Sequence, residues 1–148
     1  MELCNTTQLW VANMRAMLVL LDAEFSALKE KKQEAIVLTS REKEALLAEL
    51  SAQEKNLLDS AQATGFTGHD LFEHIARHCG QEWAQSTLET SQQVQQANQR
   101  NGALLQSMIR LNEHALNVLT GKQPKVNTYG ASGQIETSVS QLTKLATA

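Results

Sequence analysis

Residues 1–64 contain neither glycine nor proline. These two residues do most of the work of ending helices and turning chains, and sheet folds need such turns at intervals of about 8–12 residues. A stretch of this length without them is compatible with long helix and with little else. The composition agrees: aromatic residues are 4% of the 148-residue chain, there is one Pro, and Ala, Leu, Gln and Glu dominate, a helical palette rather than that of a sandwich or barrel. With 42% hydrophobic residues the chain can bury one ordinary core.

The periodicity places the seams. Val11, Met14, Leu18, Leu21, Phe25 and Leu28 alternate by three and four residues, one stripe of an α-helix. The stripe fades through Lys29-Glu30-Lys31-Lys32. Thr39-Ser-Arg-Glu42 matches a capping box, so a break or kink is expected between Lys32 and Ser40, although one continuous helix is also open. Leu47, Leu50, Leu57 and Ala61 resume the seam, flanked by Leu46 and Leu58, with Glu54 at one core-phase position; this helix is expected to run to about Ala63.

Gly65-Phe66-Thr67-Gly68 is the first punctuation, and Thr67 with Asp70 suggests the cap of a short helix over residues 71–78, closed by Gly80. Residues 81–120 then carry Trp83, Thr87, Thr90, Val94, Ala97, Asn101, Leu104, Met108, Leu111, Ala115 and Val118 in one three-four register, stopped by Gly121. As one helix this segment would be about 60 Å long and would need a long partner; the first segment, folded antiparallel to it, would supply one. The expected fold is all-α: an elongated antiparallel bundle over residues 1–121, with one short connecting helix and a flexible C-terminal tail over residues 122–148. Within the tail, Ile135, Val139, Leu142 and Leu145 recur at helical spacing, a weak amphipathic helix over about 134–147.

Charge narrows the function. The net charge is −3, with all of the excess acidity in residues 1–64. That is the wrong sign for a nucleic-acid binder, whose affinity comes from Lys and Arg neutralising phosphates. The longest apolar run, residues 16–21, is about a third of a membrane span, and the N-terminus lacks a basic leader pattern, so a soluble cytoplasmic protein is expected. Cys4 and Cys79 stand in no motif and read as small hydrophobes of a reducing compartment, since a helical chain of this size needs no disulfide.

No nucleophile, acid–base, P-loop or dinucleotide motif is present, which argues against an enzyme. His74 and His78, at i, i+4 beside His69, share a helix face that could bind zinc, but a structural site needs four ligands and the HExxH pattern is missing, so capping or surface histidines are the preferred reading. The run Gln85, Gln92, Gln93, Gln95, Gln96, Asn98, Gln99 and Asn101 reads as a solvent face or as an adaptable interface. Gly102, inside a heptad run, suggests a close backbone approach.

A better sign of function is surplus apolar surface. Leu105, Ile109, Leu116 and Leu119 lie beside the main register, and with the tail stripe they exceed what one antiparallel partner can cover. The tail has three open fates: a self-cover that opens, a segment that folds on a partner, or permanent core.

The ordered combination of Lys43-Glu-Ala-Leu-Leu-Ala-Glu-Leu50, Asn98-x-x-Asn101-Gly102-x-Leu104-Leu105, Leu116-x-x-Leu119-x-Gly121 and Thr128-Tyr129-Gly130-x-x-Gly133 resembles the FlgN family of flagellar type III export chaperones, over nearly the whole chain. The resemblance implies a cytoplasmic chaperone, without cofactor or metal. Such a chaperone binds hook-associated (hook–filament junction) proteins through their amphipathic terminal helices, prevents their premature assembly and delivers them to the flagellar export apparatus. It places cargo binding in the C-terminal part. Tyr129 and the glycines match by motif, whereas Leu116, Leu119, Val126, Ile135, Val139, Leu142 and Leu145 follow from spacing. Residues 65–80 match no part of the pattern. The alternative is a structural coiled coil that self-associates into a permanent oligomer; weak self-association is compatible with either reading.

Overall fold

A computed structural model describes residues 1–122, which form four helices and no strand: α1 (Glu2–Glu30), α2 (Gln33–Ala63), α3 (Leu71–Cys79) and α4 (Gln81–Thr120). The helix ends over residues 63–121 fall where the glycines put them. After α2, Gly65 turns at φ 93° and the Phe66 N–H returns to the Ala61 carbonyl at 3.0 Å, a glycine-closed helix end. Asp70 itself, rather than Thr67, caps α3, its carboxylate accepting from the Glu73 N–H at 3.0 Å.

The break in the first segment sits at the edge of the expected window and has a different cause. Lys31 takes the left-handed conformation (φ 56°, ψ 35°), and the N–H groups of Lys31 and Lys32 close on the Leu28 and Ala27 carbonyls at 3.2 and 3.0 Å. The Thr39-Ser-Arg-Glu42 capping box is not used. Thr39 lies inside α2, buried, with its hydroxyl donating to the Ala35 carbonyl at 2.8 Å. A helical Thr satisfies its hydroxyl on the preceding turn as readily as a cap does.

Helix α1 is the central element, packed against both α2 and α4, whose backbones do not approach each other closely. Helices α1 and α2 are antiparallel, as Asn13 bonded to Glu49 at 2.9 Å and Lys43 bonded to Glu24 at 3.1 Å demonstrate. Helix α2 returns the chain to the N-terminal end of α1, so the next long helix starts there and runs with α1. Arg100 meets Asp22 at 2.9 Å and Asn101 meets the Leu21 carbonyl at 2.7 Å. The long partner of α4 is thus a parallel helix, not the antiparallel one the pattern suggested, because the break at Lys31 splits the first segment in two.

The buried line of α1 is Leu3, Thr7, Trp10, Met14, Met17, Leu21, Glu24 and Leu28, an unbroken four-three alternation. The expected Leu18 and Phe25 lie at its margin, half-buried, while Thr7 and Glu24 are inside. Leu50 and Leu57 of α2, Leu71 and Ile75 of α3, and Ala84, Val94 and Ala97 of α4 complete the core. Each large side chain here contributes about 1.5–3 kcal/mol through burial.

At the N-terminal end of α1, Cys4 is bonded to Cys79, the last residue of α3, with Cα atoms 5.3 Å apart. This corrects the reading of two separate thiols. Only the return of the chain through α3 brings together residues 75 apart in sequence, and the inference of a reducing compartment from unpaired cysteines loses its basis.

Two local features lead to measurable expectations. A Cβ placed on Gly102 meets nothing within 4 Å, so no backbone approaches closely there, contrary to expectation. Gly102→Ala should therefore raise stability by about 1 kcal/mol, the propensity difference within a helix, in a urea titration. Burial pushes the Glu54 carboxyl above the ordinary carboxylate range. A raised folded-state value means that the ionised form is disfavoured in the fold, so this residue costs stability above that range and ceases to do so as pH falls below 4.5. Glu54→Gln should stabilise the protein at pH near 7, with the gain vanishing in titrations at about pH 4.

Candidate protein-binding surface

The register of α4 behaves as two halves. Thr87, Thr90, Val94, Ala97 and Asn101 are buried against α1. Beyond Asn101 the same stripe emerges: Leu104 and Met108 are half-buried, and Leu111, Ala115 and Val118 are exposed. Because Asn101 stands level with Glu24, α1 ends about six residues further on, and α4 projects roughly 20 Å past it at 1.5 Å per residue.

A polar layer marks the boundary. Lys43 of α2, 4% exposed, places its Nζ 3.1 Å from both carboxylate oxygens of Glu24. Asn101 of α4, 2% exposed, donates through Nδ2 to the same carboxylate and to the Leu21 carbonyl, both at 2.7 Å. Three helices are thereby locked in register by groups that satisfy one another, the condition under which buried charge is tolerated. Outside the layer, Arg100 bonds Asp22 and stacks its guanidinium 4.1 Å above the Phe25 ring.

Past that layer two adjacent stripes run along α4. Leu104, Met108, Leu111, Ala115 and Val118 form one, and Leu105, Ile109, Leu116 and Leu119 the other, interrupted only by Asn112. Exposure is greatest at the outer end, 84% at Leu119 against 45% at Leu105. A face two stripes wide is what a bundle helix normally buries, and monomeric proteins seldom leave one open. Val37 and Leu38 of α2, at the same end of the molecule, are also exposed and line a shallow hollow with Gln33, Glu34 and Arg41.

Of the residues expected to bind cargo, Leu116 and Leu119 lie exposed on this projecting face. Val126, Tyr129, Ile135, Val139, Leu142 and Leu145 lie outside the described residues. Leu111 and Val118, assigned to the core register by sequence, belong to the open face instead. Periodicity identifies a stripe but not how far its partner extends.

The other sequence candidates have structural roles. His74 Nε2 lies 2.7 Å from the Thr64 hydroxyl and its ring packs on Phe66 and His78, with centroids 5.5 and 4.4 Å apart, tying α3 to the end of α2. Partial burial, with His78 and Arg77 beside it, pushes the His74 imidazole below the usual histidine value. Among the described residues no group of three His, Cys, Asp or Glu side chains is placed to hold a metal ion. In the amide-rich run, Gln92, Gln93, Gln96 and Gln99 face solvent, whereas Asn98 and Asn101 turn inward. Among the described residues no helix is long and apolar enough to cross a membrane.

Comparison with known proteins matches the family described as FlgN protein over residues 2–137. The flagella synthesis protein FlgN of Escherichia coli (strain K12) is 43% identical over 58 residues, which cover 39% of this chain and 41% of that protein. No solved structure matches.

Proposed function

Because the chain belongs to the FlgN family, we propose that it is a cytoplasmic flagellar export chaperone that binds hook-associated proteins, keeps them from assembling early and delivers them to the type III export apparatus. The observation that carries this reading is the two-stripe apolar face of α4, whose register is core as far as Asn101, half-buried at Leu104 and Met108 and exposed at Leu111, Ala115 and Val118. An amphipathic helix from a cargo protein is the natural complement of such a face, its own i, i+3, i+4 and i+7 positions filling the stripes. The fit is steric and hydrophobic, calls for no catalytic group or cofactor, and leaves modest net affinity once the ordering of both partners is subtracted. The tail positions Val126, Tyr129, Ile135, Val139, Leu142 and Leu145 extend the site beyond Gly121.

Calorimetric titration with full-length hook–filament junction proteins from the same cell tests the reading. Leu116→Asp with Leu119→Asp should weaken binding at least tenfold, since two exposed leucines burying their side chains contribute more than the roughly 1.4 kcal/mol that tenfold represents. Deleting residues 122–148 should abolish binding while helicity by circular dichroism persists over the bundle. Absence of binding by the intact chain to every junction protein would overturn the proposal, as would unchanged affinity in both variants. The alternative of a permanent coiled-coil oligomer predicts a concentration-independent multimer in light scattering.

A further inference from the structure

The open face of α4 is followed in the sequence by a segment that has the right pattern and reach to cover it. We propose that, before cargo arrives, residues 135–146 dock antiparallel along residues 105–119 of α4, so that the two parts of the cargo site shield each other. This rests on the reading of that face as the cargo site only for its consequence; the docking itself is independent of cargo.

Three observations carry it. The first is length: the α4 face from Leu105 to Leu119 is about 21 Å long, and Ile135, Val139, Leu142 and Leu145 would span about 15 Å as helix at 1.5 Å per residue. The second is reach. Helix α4 ends at Gly121 with φ 68°, and the Lys122 N–H closes on the Asn117 carbonyl at 3.1 Å, so the chain leaves the helix axis instead of continuing along it. The residues from Gly121 to Gln134, with Pro124, Gly130 and Gly133 among them, can extend about 45 Å, more than enough to reverse and reach any point of the face.

The third is mass action. A tethered segment meets the face at an effective concentration near the millimolar range, far above that of a second copy or a cargo chain at ordinary cellular levels. The tail segment is rich in Ser and Thr and too short to be a stable helix alone. Its docking is therefore weak enough for a better-matched cargo helix to displace.

The test needs no cargo. Hydrogen–deuterium exchange of the intact chain should show amides 135–146 protected roughly tenfold or more over an unstructured chain, which a marginal isolated helix cannot provide. Val139→Asp with Leu142→Asp should remove that protection, accelerate exchange over 105–119 and raise 8-anilinonaphthalene-1-sulfonate fluorescence severalfold, leaving α1 to α3 unchanged. Exchange at the unstructured rate over 135–146 in the intact chain would overturn the proposal by itself, even if the variant failed to fold. So would identical behaviour of residues 105–119 in the two proteins. Protection that appears only at high protein concentration, with doubled mass in light scattering, would also overturn it and assign the face to a second copy. Failure here leaves cargo binding standing, and failure of cargo binding leaves this result standing.

Discussion

Replacing Lys43 with alanine should cost the fold about 3–5 kcal/mol, the usual consequence of removing one partner from a buried ion pair. The Glu24 carboxylate accepts from Lys43 and from Asn101 and is 8% exposed, so the loss of Lys43, its one cationic partner among the described residues, leaves a largely buried charge unpaired. The comparison that isolates burial is Asp22→Ala, which breaks the ion pair with Arg100 and leaves that guanidinium on Phe25. The Arg100–Asp22 pair has similar geometry, but its side chains are 40% and 61% exposed, and exposed pairs contribute about 0–1 kcal/mol. Urea unfolding of both variants should separate them by at least 2 kcal/mol. Similar losses from the two would mean that the layer around Glu24 is hydrated in solution and does not set the register of α1, α2 and α4.

Reduction of the Cys4–Cys79 bond should lower stability by about 2–4 kcal/mol. The bond closes a loop of 75 residues, for which the chain-entropy estimate is about 4.5 kcal/mol, and measured effects usually fall at or below such estimates. Urea titrations with and without dithiothreitol read this directly, and Cys4→Ser with Cys79→Ser should match the reduced protein and be insensitive to the reagent. A shift under about 1 kcal/mol would show that packing of α3 already holds the two cysteines together. The bond ties the first turn of α1 to the end of α3, at the opposite end of the bundle from the open α4 face, so cargo affinity should not change. In a reducing compartment the same pair is two thiols, and α3 is then held by packing through Leu71 and Ile75 and by the His74 contacts with Thr64 and Phe66.

Much of the architecture was legible beforehand because it depends on local rules. The absence of Gly and Pro over residues 1–64 announced long helices; Gly80 and Gly121 marked helix ends that lie where expected. The surplus of apolar length near the end of α4 was also readable, since a stripe is a property of one helix. The charged members of the core were not. Glu24 and Lys43 occupy heptad positions that hydrophobicity reads as surface, and they are inside because groups on other helices satisfy them. The Thr39 capping box failed for a related reason: the motif is sound, but the left-handed turn at Lys31 had already begun the helix.

The sequence by itself therefore determined that the chain is helical, where most of its helices stop and that α4 carries more apolar surface than one partner could bury. Those are consequences of backbone freedom and of the 3.6-residue period, which neighbouring residues settle among themselves. Only the tertiary structure decided that α4 runs parallel to α1, that Cys4 meets Cys79 and that the cover of α4 ends just past Asn101. Each of these depends on where a second helix happens to begin or end, a distance that no local pattern encodes.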